Sequence, residues 1–474
     1  MRDSWFAIIA CSLLVACDRG VETEPSTAVV YSRDIQPLLN QRCATAGCHD
    51  ATTAAEVLVL DSWVSVFRGS ENGAMVVPFR PEKSHLIFHV NTDSTVAPVA
   101  QPLMPPGLPL AGQEVQLLMN WVKEGARNDN GEIAFSQTPS GKVFVCGQGE
   151  DEIGIIDAAT NLLMRMVPVG ISNAPESPHN VTVDSQGVYY YVNLVTASEI
   201  WKFRVADNGF LGKLNLGSLR APAQIVLTGD GKMGYVSNFD LQGNFRAVQV
   251  FDTQSMQVLA EIADQRMRAS HGLQMMRNGQ FLWTANQRSD NLTIIDVPTN
   301  SVVGIVKVDP SVSDSLNAAS RYGPYQLVFS PNDLFAYVTC RTSNEVRVFN
   351  TQTRLLVHAI QVGMTPLILD ITSDGQFVYV ANRGSNSVSV IRTSDNTVTS
   401  TISNVGIEPH GVAIAKDGQY VYVSCENINN PEAPHHPVAG LKTPGYVAVI
   451  ERATNQVVKR IEVGSFGAGI AITR

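Results

Sequence analysis

A chain of 474 residues with a formal net charge of −9 is too long for one compact domain, and too acidic, without any basic run, for a nucleic-acid partner. Charged residues make up only 16% of it, against 36 glycines and 24 prolines, a balance suited to a turn-rich β protein. Seven cysteines leave an odd remainder once four are spent as argued below, which speaks against a disulfide framework in an exported protein.

Residues 1–17 read as a leader. Arg2 precedes an apolar run from Trp5 to Ala16 that is too short to span a bilayer comfortably. The run ends in "LVAC", which resembles a bacterial lipoprotein signal. That resemblance implies cleavage before Cys17 and lipid on its thiol and new amino terminus. An ordinary secretory signal is the alternative, and both put the mature chain outside the cytoplasm. The lipoprotein reading implies a periplasm-facing protein of the bacterial cell envelope that touches the membrane through its lipid anchor alone. Asp18 favours the inner over the outer membrane. Residues 18–29 read as a flexible tether.

The segment 30–131 is organised around "RCATAGCHD", with Cys43, Cys48 and His49. A cysteine loop closed by Cys–His is the mark of covalent haem: two thiols add to the haem vinyls and the imidazole ligates iron. Four residues lie between these cysteines where two are usual, so a disulfide or a zinc site is also open. Zinc would need further ligands such as His85 and His89. "YSRDIQPLLNQRCATAGCHD" resembles the first helix and haem loop of class I cytochrome c domains of the CxxxxCH variety. "LMPPGLPLAGQEVQLLMNWVKEGARN" resembles their distal loop and last helix. The resemblance implies a small all-α domain with one covalent haem c, His49 as proximal ligand and Met104 as distal ligand. Pro105 and Pro106 suit a stiff loop holding the thioether. Core filling is the other role open to Met104, and His85 or His89 could replace it on the iron.

From about Lys142 onward the chain repeats. Val378 to Gly418 shows one unit: a strand ending in Asn382, an alternating strand through Val388 and Val390, a third strand, then "PHG" opening a fourth. Cys146, Asn193, Asn238, Asn286, Cys340 and Cys425 are the counterparts of Asn382, which makes seven units. Four short strands at this period predict propeller blades. "YVTC", "YVAN" and "YVSC" resemble the YVTN-repeat β-propellers, so 132–474 is expected to be an all-β seven-bladed propeller. The closing "GAGIAITR" reads as the innermost strand of blade one (Gly469 to Arg474), locking the ring.

Strand parity puts the long excursions (Ile171–Pro178, Ala263–Ser270, Asp309–Gly323 and Glu426–Gly445) on one face. At that face's channel mouth the units present His179, Ala223, His271, Tyr325, Leu367, His410 and Ala468. The set His179, His271, His410 and Tyr325 invites a second metal or haem, with His435 and His436 reaching over it and Arg288, Arg341 and Arg383 adding charge for an anion. A resemblance to the cytochrome-type nitrite reductases points the same way, but their propellers have eight blades. Histidines that only bond turn backbones are the plainer alternative. Cys146, Cys340 and Cys425, on separate blades, read as small buried residues.

The expected function is one-electron transfer by an exported haem c protein, with a periplasmic redox protein as donor or acceptor and the propeller as docking platform. Two alternatives stand beside it. One is an oxidoreductase whose centre at the propeller mouth is fed by the haem. The other is a cell-surface binding scaffold with an accessory haem.

Overall fold

The computed structural model describes residues 29–136, 141–171, 174–240, 245–312, 319–429, 431–434 and 442–473. The leader with Cys17, and the pair His435 and His436, lie outside the described residues. No helix among the described residues is long and apolar enough to cross a membrane.

The N-terminal part is a set of short helices. After a π-turn at Tyr31–Ile35 come α1 (Gln36–Arg42), α2 (Trp63–Val66), α3 (His85–Val90) and α4 (Gly112–Lys123). Helix α4 shows why the sequence folds so. Glu114 reaches back to the Ala111 N–H at 2.7 Å, taking one of the donors that a helix start leaves without an internal partner. Val115, Leu118, Trp121 and Val122, at helical spacing, turn inward. Trp121 is fully buried and meets Tyr31 and Phe67 at centroid distances of 5.5 and 6.4 Å. The chain leaves α4 through Gly125 at φ +99°, where an added Cβ would stand 2.8 Å from the Phe79 ring. Only glycine fits there.

The remainder is seven four-stranded antiparallel sheets. In each blade the second strand is buried almost throughout, as in Phe377–Asn382, because it has neighbours on both sides and on both faces. The outermost strand alternates exposed and covered residues, as in Thr397–Ser403. Burying the second strands drives the ring together. Tyrosines on them peg one blade to the next. Tyr235, Tyr337, Tyr379 and Tyr422 donate to the side chains of Asn300, Asn396, Asn455 and Asn161 at 2.8, 3.2, 3.2 and 2.7 Å. Each asparagine sits in the left-handed region, which this residue tolerates better than most, at the tip of a turn in the following blade.

The ring closes as parity predicts. Gly467–Ile472 pairs with Lys142–Gly147, so blade one takes its innermost strand from the C-terminus. That strand starts two residues before the expected Gly469, because Gly467 reaches Gly147 across a bulge.

The N-terminal part packs against the side of blade one. Val77 joins a core with Val143, Val145 and Met166. Phe67 meets Phe135 edge-on at 6.1 Å, and Phe135 packs on both cores. Arg80 donates to Glu152 at 2.5 Å and to the Met166 carbonyl at 3.1 Å. Lys83 reaches Glu150 at 3.1 Å.

Candidate functional site

Two places gather chemistry. The first is the cysteine loop. Cys43 caps the C-terminal end of α1 and is buried, while Cys48 and His49 are half-buried. Both thiols are free, and burial pushes that of Cys43 up to about 11. The loop folds on itself, with His49 N–H donating to the Cys43 carbonyl and Ala55 N–H to that of Cys48. His49 Nδ1 lies 3.2 Å from the Ala55 carbonyl, which can only accept. The proton therefore belongs on Nδ1, and Nε2 keeps its lone pair for a ligand. Met104 is half-buried against the same core that holds Cys43. Its N–H donates to the His89 carbonyl at 2.7 Å. Arg42, the last residue of α1, donates to the carbonyls of Leu108 and Pro109 at 3.4 and 3.1 Å, tying the methionine loop beside the cysteine loop. His89 Nδ1 is occupied by the Pro102 carbonyl at 2.9 Å.

The second place is the channel mouth. The chain enters four of the innermost strands by one device: a residue at positive φ, then proline, then the mouth residue. Ser177-Pro178-His179, Gly323-Pro324-Tyr325, Thr365-Pro366-Leu367 and Glu408-Pro409-His410 follow it, and Ala269-Ser270-His271 differs only in lacking the proline. Side chains in the preceding blade clamp these entrances. Asp151 accepts from the N–H groups of Glu176 and Ser177, Asp290 from those of Arg321, Tyr322 and Gly323, and Asn386 from that of Glu408. Equivalent positions thus aim equivalent side chains at one axis.

Four of the seven mouth residues meet there. His179 Nε2 lies 3.1 Å from His271 Nε2. The His410 ring centroid is 5.4 Å from that of His179, and Tyr325 stacks on His271 at 3.7 Å. All four are buried. Outer partners hold them. His179 Nδ1 is 3.0 Å from Gln148 Oε1, and His410 Nδ1 is 2.8 Å from Glu426 Oε1. Arg383 grips Glu426 with two bonds of 3.0 and 2.7 Å and also pairs with Glu408. Its guanidinium is committed to carboxylates, so it is not the free positive charge that the sequence suggested. Arg341 lies over the Tyr325 ring at 5.5 Å.

Burial, with His410 nearby, lowers His179 to about 3, and burial likewise holds His271 well below the usual histidine range. Burial alone would raise the Glu426 carboxyl, but His410 and Arg383 together hold it down at about 2. Two buried imidazoles whose charged form is disfavoured, His179 and His271, thus stand beside a Glu426 carboxylate bonded to His410 and Arg383. Among the described residues, no group of three or more His, Cys, Asp or Glu side chains is placed to hold a metal ion.

Gln148 and Glu426 escaped the sequence reading, as did Phe239, which stacks on His179 at 5.4 Å, and Gln287, which accepts from Arg341 at 3.4 Å. All but Gln148 directly follow a strand-ending residue (Asn238, Asn286, Cys425), the repeat position that also carries Arg341 and Arg383. Comparing that position across units would have found them. Cys146, Cys340 and Cys425 are buried free thiols on separate blades, raised by burial.

The fold and its mouth define a seven-bladed propeller with a histidine-lined channel entrance. A family model described as "Lactonase, 7-bladed beta-propeller" matches residues 305–433. Among solved structures the chain is similar to Kuenenia stuttgartiensis hydrazine synthase, at 16% identity and a TM-score of 0.53, over 66% of this chain and 92% of that one. It is also similar to a functionally unknown protein from Desulfotomaculum acetoxidans DSM 771, at 14% identity and a TM-score of 0.55, over 70% of this chain and 99% of that one. At these identities the likeness is one of fold. No curated protein matches in sequence.

Proposed function

We propose that the protein is an exported electron carrier whose N-terminal part holds one covalent haem c and whose propeller is a docking platform. The observation that carries this reading is the cysteine loop itself. Two free thiols precede a histidine whose Nδ1 is held by the Ala55 carbonyl, leaving Nε2 for iron, and Met104 packs on the same core as Cys43. These residues fit the group: Cys43 and Cys48 would take the thioether bonds, with His49 and Met104 as axial ligands. When bound, the haem supplies reversible one-electron chemistry. The chain's own contribution is to fix the imidazole tautomer, stiffen the methionine loop and keep water from one side of the site. In this reading Cys17 carries the lipid anchor, a periplasmic redox protein is the partner, and the elaborate propeller face is where it docks.

The test is maturation in cells with haem-attachment machinery. One haem c per chain is expected in the pyridine spectrum, with covalent attachment lost in C43S/C48S. Met104→Ala should keep the stoichiometry but lower the midpoint potential. Colourless protein with both thiols open to alkylation would overturn the proposal.

A further inference from the structure

Where blade four (270–307) meets blade five (324–361), the repeat departs from its own pattern. At four seams a tyrosine on the second strand bonds a turn-tip asparagine of the next blade. Here Trp283 stands in the tyrosine's place and Arg354 in the asparagine's. Trp283 still lies in the seam, edge-on to Phe329 at 5.7 Å, but it has no hydroxyl to reach across. Arg354 keeps the turn's left-handed backbone at φ +61°, which asparagine tolerates and arginine holds under strain. The seam between blades two and three also lacks the asparagine, yet there a buried Met256 plugs it. Arg354 is exposed instead, and beside it lies a cleft of about 450 Å³. The turns that line it join first to second and third to fourth strands, so it opens on the face opposite the channel mouth.

The floor of the cleft is apolar, with Met276, Phe281 and Trp283, and its rim offers donors. The Trp283 indole N–H has no hydrogen-bond partner among the described residues and is not shut off from solvent; the opening it lines is this cleft. Asn278 and Asn332 spend their amide oxygens on turn donors, the N–H of Gln280 at 2.9 Å and that of Leu334 at 3.1 Å. That fixes the orientation of both amides and leaves each NH2 group without a partner among the described residues. Asp333, the carboxylate of the rim, is filled by the N–H groups of Arg277 and Asn278 at 3.0 and 3.1 Å. Arg354 pairs with no carboxylate among the described residues, and one of its N–H groups reaches the Val303 carbonyl at 3.4 Å. Gly304 makes room for that guanidinium. An added Cβ would stand 2.5 Å from Arg354 Nη1, and other blades carry Ala260, Ser400 and Lys459 at this position. Acceptors are thus spent inside the protein, and donors are left over.

We propose that this cleft binds a small aryl carboxylate. Its ring lies against Trp283 and Phe281, its carboxylate pairs with Arg354, and the unspent amide and indole N–H groups surround it. A guanidinium matches the planar, two-oxygen shape of a carboxylate, and such charge-assisted bonds are stronger than neutral ones. Phosphate has no apolar body to cover the floor. A sugar needs acceptors for its hydroxyl protons, and the rim has already spent its own. The site shares no residue with the cysteine loop or the channel mouth, so it stands or falls apart from the haem reading.

The experiment titrates full-length protein with 2-naphthoate by calorimetry and saturation-transfer nuclear magnetic resonance, with 2-naphthamide, inorganic phosphate and glucose as comparisons. One saturable site is expected for naphthoate, with the neutral amide about 10-fold weaker and no saturable binding of phosphate or glucose. R354N, in which asparagine suits the turn's backbone, should fold normally and bind naphthoate about 10-fold more weakly or worse. W283Y/R354N rebuilds the pair found at four other seams and should abolish binding while keeping the wild-type circular dichroism. Should the double variant fail to fold, R354N alone decides. No saturable naphthoate binding by wild type would overturn the proposal, as would naphthamide or glucose binding as tightly as naphthoate. Equal binding by wild type and R354N would also overturn it, placing the ligand elsewhere, and on the haem where the visible spectrum shifts with it.

Discussion

The Tyr422 hydroxyl crosses the seam where the ring is closed, donating to Asn161 of blade one at 2.7 Å. Its counterpart Tyr379 makes the same bond to Asn455 across an ordinary seam at 3.2 Å. Each is one neutral hydrogen bond, so Tyr422→Phe and Tyr379→Phe should each cost ~1 kcal/mol. Both should lower the urea midpoint with the slope unchanged, by similar amounts; a much larger loss for Tyr422 would mean that the closing seam governs unfolding. A second residue-scale effect concerns Asp309. Its carboxyl is held well below the usual range by the hydroxyl and N–H of Ser311, by the Tyr322 hydroxyl and by Arg347. A carboxylate with a lowered folded pKa adds stability that is complete above its unfolded value, near ~3.9, and disappears as pH falls through the folded value. Asp309→Asn should therefore be less stable than wild type in urea at pH 6, and the gap should narrow below about pH 4. A gap of constant size across that range would show that the titration of Asp309 contributes nothing.

At the scale of elements, the last strand has the most to test. Gly467–Ile472 supplies the innermost strand of blade one, and Ala468 accepts from Ser424 of blade seven. Ending the chain after Gly464 would bare the edge of Lys142–Gly147 along its whole length, an open template for other chains. That variant should be recovered as aggregate, whereas ending it after Thr473 should change little; a soluble monomer from the first truncation would refute strand closure as the lock. This strand was legible because period-two alternation and a repeated strand-ending Asn or Cys announce each blade, and counting strands leaves one short at the start and one over at the end. The mouth set His179, His271, Tyr325 and His410 was legible for the same reason, since equal positions in equal repeats converge on one axis. Gln148 and Glu426 were not, because Gln148 sits on blade one and holds a histidine of blade two, Glu426 holds the entrance of its own blade from the far end of the next strand, and no local pattern announces either pairing. Glu426 also had to be told apart from the rest of a long excursion.

On the scale of the molecule, the N-terminal part and the propeller are joined by contacts that no periodicity foretells, because Val77 and Arg80 stand in irregular chain and Lys83 ends a single 3-10 turn before α3. The seam matters for function through one turn. Glu150 takes Lys83 from the N-terminal part, while Gln148, two residues earlier, holds His179 at the channel mouth. The turn between Gly147 and Glu152 thus ties the seam to the channel mouth. Glu152 anchors that tie: its side chain is only 8% exposed and its partner Arg80 is 15% exposed. Removing one member of a buried pair leaves the other charged and unpaired, so Arg80→Ala should cost about 3 kcal/mol, less whatever Lys83, 3.8 Å away, recovers. Glu82→Gln, at the exposed end of the network, should cost under about 1 kcal/mol. Small-angle scattering separates a loosened seam from a merely weakened fold. Arg80→Ala should raise the radius of gyration while the propeller keeps its circular dichroism, and an unchanged radius would place the rigidity of the joint in the apolar contacts of Val77 and Phe135 instead.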